Sequence, residues 1–115
     1  MPRLESTNFC SVTIDGKEYN YDVLITVSGE IVRHDKTLSL EGHKVGREEL
    51  EPLWGENPEV LIIGTGQYGA IPLDDETIKQ CQERGIKVVA AKTPEALQRY
   101  NELRERKAAF IHTLC

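Results

Sequence analysis

Cysteine is scarce in this chain: 115 residues hold three, at positions 10, 81 and 115, and no two form a C-x-x-C pair. An odd, scattered set favours reduced thiols in a cytoplasmic setting over a disulfide framework or a cysteine-based zinc site. Long apolar runs are also missing. The longest cover about four residues, against the roughly twenty that a membrane-spanning helix needs. The opening MPRLESTNFC has neither an apolar segment nor a small-residue cleavage site, so no secretory signal is expected. Basic charge is in deficit. Fourteen Lys and Arg against 19 Asp and Glu give a formal net charge of −5, which argues against nucleic acid and anionic membrane as partners. No basic stripe accompanies Tyr19 and Tyr21, so these two read as half-buried strand residues and not as a base-stacking platform.

What is present is the composition of an ordinary globule, 39% hydrophobic and 29% charged, in one domain over residues 1–115. The pattern changes along the chain. Cys10, Val12 and Ile14 alternate, and Asp15-Gly16 is a two-residue hairpin turn. Tyr19, Tyr21, Val23, Ile25 and Val27 keep strict period two, which predicts one return strand with a buried and a wet side. A third strand over Glu30–Arg33 follows the Ser28-Gly29 turn, and residues 34–45 read as a loop. Arg47–Trp54 predicts a short helix, kinked or split at Pro52. From there strand and helix alternate. Val60–Ile63 is a strand covered on both faces, and Asp74 caps a helix that ends at Gly85. Ile86–Ala90 is a strand. Thr93-Pro94 reads as an N-cap followed by proline, opening a helix whose last turns carry Arg104, Arg106 and Lys107. Ala108–Leu114 closes the chain as a strand.

Residues 64–69, Gly-Thr-Gly-Gln-Tyr-Gly, spell G-x-G-x-x-G after an apolar strand. A dinucleotide site needs those glycines to lead directly into a helix, and an acid at the end of the next strand. Pro72 would break such a helix, and the next strand ends in Lys92. No nucleotide cofactor is expected. Two readings stay open for the turn: a bend that glycine permits, or a nest of bared amides over Thr65–Gly69 that accepts an anion. His34, His43 and His112 show no ligand spacing, so no metal site is expected. His112 and Cys115, three apart in a strand, point to opposite faces. With no third orienting group visible, an activated thiol is not expected. Asn101 lies at the edge of its helix's apolar stripe, where it either bonds a nearby turn or lines a pocket.

Several segments together carry a resemblance: IDGKEYNYDVLI, GHKVGREELE, PEVLIIGTGQYG, TPEALQRYNELRERKAAFIH and the terminal cysteine. In this order and spacing the chain resembles the Mth-type domain family of unknown function. Its relatives include the adipogenesis-associated Mth-domain protein and a mitochondrial complex I assembly factor. The resemblance implies a single three-layer α/β domain with a central mixed β-sheet, flanking helices and an N-terminal β-hairpin element. It implies no reaction. It places a shared cleft at Gly64, Thr65, Gly66, Gln67, Tyr68 and Gly69, with His43, Thr93, Tyr100, Asn101 and His112 at matching positions. One departure stands out: the family usually ends His-x-Thr-Cys, whereas HTLC puts the threonine at 113.

The preferred functional expectation is a non-enzymatic interaction or assembly module with an unidentified protein partner. The alternative is a small-molecule or anion-binding protein, catalytic or not, with its ligand on the Gly64–Gly69 turn. Self-association through an exposed strand also stays open.

Overall fold

The Asp15-Gly16 turn takes positive φ at both residues, 51° and 82°, and folds the chain back on itself as the pair requires. It joins β2 (Ser11–Ile14) to β3 (Lys17–Tyr19), with Ile14 opposite Lys17. Antiparallel to β2 on its other side runs β1 (Leu4–Asn8), completing a three-stranded sheet in the order β1-β2-β3. These elements belong to a computed structural model that describes residues 3–8, 11–34, 45–66 and 72–113.

The single return strand expected after the turn is two strands in two sheets. The chain leaves the small sheet at Asn20 and enters a second sheet as β4 (Asp22–Ile25). The tyrosine face survives the break because Tyr19 and Tyr21 meet edge to face at 5.8 Å. Lys17 lies over the Tyr19 ring at 5.2 Å, and Arg33 lies over Tyr21 at 4.3 Å. What fails is the wet face. All four residues of β4 are buried, Asp22 and Leu24 included, since helices cover one side of the sheet and the small sheet the other.

The second sheet has five strands in the order β5-β4-β8-β6-β7, with β5 (Ile31–His34), β6 (Val60–Gly64), β7 (Lys87–Ala91) and β8 (Lys107–Ile111). Its β6 pairs parallel with β7 and β8, and β4 pairs antiparallel with β5 and β8. The sheet is therefore mixed, and β6 is buried throughout, as its unbroken apolar run demands.

Two helices cover one face. Leu50, Leu53 and Trp54 of α1 (Arg47–Trp54) pack with Leu24, Leu61, Ile63 and Phe110, together with Cys81 of α2 (Asp75–Glu83). Pro52 neither splits nor ends α1. It lies on the exposed side near the last turn, where the missing N–H costs one internal bond. The two helices are tied by the Trp54 indole N–H, which donates to Cys81 Sγ at 3.3 Å, and by Arg84 stacked 4.3 Å from the indole. Asp74 caps α2 as its sequence indicates, accepting from Thr77 N and Oγ1 at 3.2 and 2.6 Å.

On the other face α3 (Thr93–Glu102) buries Ala96, Leu97 and Tyr100 against Val60, Ile62, Ala109 and Ile111, and against Leu4, Val12 and Ile14 of the small sheet. Two expectations about α3 need correction. Its N-cap position is Lys92, not Thr93, because the Thr93 side chain is engaged elsewhere. Its last turn does not reach residue 107. Lys107 stands in β8 and reaches back, its buried Nζ donating to the Tyr100 and Leu103 carbonyls. A cation at the negative end of the helix is what the sequence called for, delivered through space by a strand.

Candidate functional site

At the carboxyl end of β6 three chain segments meet through backbone and side-chain hydrogen bonds. His112, just past β8, donates its backbone N–H to the Gly64 carbonyl at 3.0 Å. Thr93 N–H donates to the Gly66 carbonyl at 2.9 Å. The Thr93 hydroxyl accepts from Gly66 N and donates to the His112 carbonyl, each at 2.9 Å. Thr65 donates both its N–H and its hydroxyl to the Ala91 carbonyl, at 2.9 and 3.0 Å.

These contacts explain two glycines. A Cβ on Gly64 would stand 3.0 Å from Thr93 Oγ1, so a side chain there would force the hydroxyl to shift within its bridge. Gly66 has φ +99°, and a Cβ there would meet His112 Cδ2 at 3.1 Å. The backbone thus lies directly against the imidazole. The bond pattern also bears on the anion nest. Of the five amides over Thr65–Gly69, those of Thr65 and Gly66 already donate within the protein. Gln67, Tyr68 and Gly69 lie outside the described residues.

The imidazole is held by a residue that the sequence reading does not single out. Asp22 Oδ2 lies 3.1 Å from His112 Nδ1, with the two side chains 0% and 3% exposed. Asp22 Oδ1 accepts from Thr113 N at 2.8 Å, and the Thr113 hydroxyl stands 3.4 Å from the same oxygen. A carboxylate only accepts, so Nδ1 carries the hydrogen, and in the neutral tautomer that leaves Nε2 with its lone pair. No described residue hydrogen-bonds Nε2, which lies 3.9 Å from the ideal Cβ position on Gly66 and so faces the glycine turn. The aspartate escapes notice because it falls on the face that strict alternation assigns to solvent. Nothing in its neighbours marks it as buried.

The structure sorts the remaining expected cleft residues into two groups. Gly64, Thr65, Gly66, Thr93 and His112 come together. Tyr100 and Asn101, about two turns along α3 from Thr93, face the small sheet instead. The Asn101 amide takes Leu4 by both backbone groups, Oδ1 accepting from Leu4 N at 3.0 Å and Nδ2 donating to Leu4 O at 2.6 Å. Tyr100 is fully buried in the core, and its hydroxyl has no hydrogen-bond partner among the described residues. His43 and Cys115 lie outside the described residues. Among the described residues, no three His, Cys, Asp or Glu side chains are grouped to hold a metal ion. No described helix is long and apolar enough to cross a membrane. Past the turn, Pro72 and Leu73 are tied to Val45 and α2 opens only at Asp75, so the next described helix begins beyond the proline.

Tyr100 carries a testable pH dependence. Burial pushes its hydroxyl up to about 12, and the Asp15 carboxylate adds to the rise. An unfolded phenol ionises near 10, so this stabilisation is complete below about pH 10 and is lost as pH climbs to about 12, about 2–3 kcal/mol in all. The Cys81 thiol, also raised by burial, adds a decline that begins above its ordinary 9.0. The Lys107 amine, lowered by burial, works the other way: stability rises as pH approaches 10.5 from below. Tyr100→Phe is expected to keep full stability at neutral pH, having lost an unpartnered hydroxyl, and to flatten the fall above about pH 10. Denaturant titrations on either side of that pH check it; an unchanged alkaline slope would remove the assignment to Tyr100.

Fold and site together define a small α/β domain with a mixed five-stranded sheet and a buried histidine–aspartate pair at one sheet end. The family model described as a protein of unknown function (DUF498/DUF598) matches residues 4–114, and the chain belongs to that family. The conserved hypothetical protein PH1505 from Pyrococcus horikoshii OT3 is 38% identical, with a TM-score of 0.85 over 98% of this chain and 99% of that one. The solved structure named MT938 is 34% identical over the whole of both chains, TM-score 0.81. A Bordetella pertussis protein, described as a Mth938-like domain, shares the fold at 16% identity, TM-score 0.66, over 97% of this chain and 85% of that one. These matches bear out the Mth-type resemblance and the α/β architecture. No curated protein matches the chain.

Proposed function

We propose that this chain is a small-molecule-binding domain whose ligand docks at the Gly64–Gly66 turn and is engaged by His112 Nε2. The observation that carries this reading is the Asp22–His112 pair. Burying a carboxylate beside an imidazole costs desolvation, and apolar residues of similar volume are commonly as stable or more so. A polar cluster of this kind therefore reads as serving a site. Asp22 is also a titratable group that converges on His112, of the kind whose scarcity in the sequence favours an interaction module. With it in place the order of the two readings reverses. Because the Thr65 and Gly66 amides are already occupied, the ligand is better described as a hydrogen-bond donor to the imidazole than as an anion cradled by backbone. A base so oriented can also take a proton from a bound substrate.

The test is a metabolite screen by thermal shift, followed by imidazole nitrogen spectra of the protein with each stabilising compound. A true ligand at about a hundred times its dissociation constant adds about 2.7 kcal/mol. It should also move the His112 Nε2 resonance. His112→Asn, which keeps a donor toward Asp22 but lacks Nε2, should abolish the stabilisation. Ligands that stabilise the protein while leaving Nε2 unmoved, and that bind the variant equally well, would overturn the proposal.

A further inference from the structure

We propose that two copies of this chain pair through the open edge of β7, antiparallel about a two-fold axis at Val89, joining their five-stranded sheets edge to edge. Hydrogen-bond accounting along the strand leads there. Lys87 N donates to Glu59 O at 3.0 Å, and Ala91 O accepts from Thr65 N at 2.9 Å, so the odd-numbered residues of β7 turn their polar groups toward β6. In a parallel ladder the alternate residues turn theirs away. Val88 and Ala90 therefore present two N–H and two C=O groups outward, with no described partner. Their spacing matches itself under a two-fold rotation. Val88 of one copy exchanges both backbone bonds with Ala90 of the other, and the pair repeats on the far side of Val89, giving about four bonds by the antiparallel pattern.

Only the ends of the edge carry the charges that usually prevent such pairing, Lys87 and Lys92. Its register with β6 is unbroken from Lys87 to Ala91, and it contains no proline and no charge between Val88 and Ala91. The small sheet shows the contrast: at β1 the Asn101 amide occupies both backbone groups of Leu4.

Charge selects a second copy as the occupant. A groove of ≈ 400 Å³ runs between the β7 edge and α3, lined by Val89, Ala90, Glu95, Arg99 and Glu102 among others. Its charges read minus, plus, minus along the helix. A two-fold axis perpendicular to the sheet keeps α3 of both copies on one face and runs them antiparallel, so Arg99 of each meets Glu95 or Glu102 of the other. Helices standing over β6 would lie about 14 Å apart, roughly three inter-strand steps, a gap that glutamate and arginine side chains span. This pairing does not depend on the ligand site.

Sedimentation equilibrium on the full chain across the micromolar range tests it. The wild type is expected to dimerise. Ala90→Pro removes the outward N–H in both copies, about half of the inter-copy bonds, without touching the β6 ladder, and should weaken the dimer roughly tenfold or more. Arg99→Glu should weaken it as well and covers the case in which the proline variant fails to fold. Exchange protection of the Val88 and Ala90 amides should rise with concentration in the wild type. A wild type that sediments as a monomer throughout would overturn the proposal. So would a dimer that either folded variant leaves at full strength.

Discussion

Asp22→Ala is expected to destabilise the domain by about 2–5 kcal/mol, the range for leaving two buried donors unsatisfied at about 1–3 kcal/mol each. Two groups are stranded by the change. Thr113 N loses its acceptor at 2.8 Å, and His112 Nδ1 loses its acceptor at 3.1 Å, in a place almost closed to water. Asp22→Asn separates the energetic role from the orienting one. Its remaining oxygen can still accept from Thr113 N, while its amide group presents hydrogens to Nδ1. The imidazole then relieves the clash of donors by carrying its own hydrogen on Nε2. The asparagine variant should therefore lose less stability than the alanine variant and yet turn the face toward the glycine turn from acceptor to donor. Urea titrations measure the first effect, and imidazole nitrogen shifts measure the second. A loss under about 1 kcal/mol for Asp22→Ala would mean that water replaces the carboxylate, and the pair would lose its standing as a buried lock.

Phe110→Ala should cost a similar amount, about 3–5 kcal/mol, for a different reason. Phe110 is fully buried in β8, between Leu24 of β4 and Ile63 of β6, with its ring centre 5.6 Å from that of His34. The strand is hydrogen-bonded on both sides, so the backbone cannot move in to fill the cavity, which puts the loss toward the upper part of the range. One residue earlier the requirement inverts. Ala109 lies on the opposite face in the same cluster as Ala96 of α3, where Ala109→Leu would overpack the contact and cost about 1–3 kcal/mol. A loss under about 1 kcal/mol from either substitution would argue against the two-sided packing described for this strand. Chemical denaturation of the two variants decides it.

Much of the fold is legible because its signals are local. The Asp15-Gly16 turn, the unbroken apolar run of β6 and the Asp74 cap are each set by neighbours in sequence, and each takes the form its residues indicate. The failures share a cause as well. Thr93 looks like an N-cap because its hydroxyl would serve the first turn of α3; instead it bridges Gly66 and His112, partners that are 27 and 19 residues away. Lys107 reads as part of a helix that in fact ends at Glu102, yet its charge reaches that helix's last carbonyls across a turn. The site is half readable. The glycines, Thr93 and His112 carry visible signals, while Asn101 and Tyr100 belong to the seam with the small sheet.

Local chemistry by itself determined the turns, the helix start at Asp74, the period of the strands and the apolar stripes that divide inside from outside. Tertiary structure alone decided that the Tyr19–Val27 alternation splits between two sheets, that Asp22 is buried, and that His112 thereby gains a fixed orientation. The physical reason is that burial depends on what covers a face, and the histidine that meets Asp22 arrives from 90 residues further along the chain.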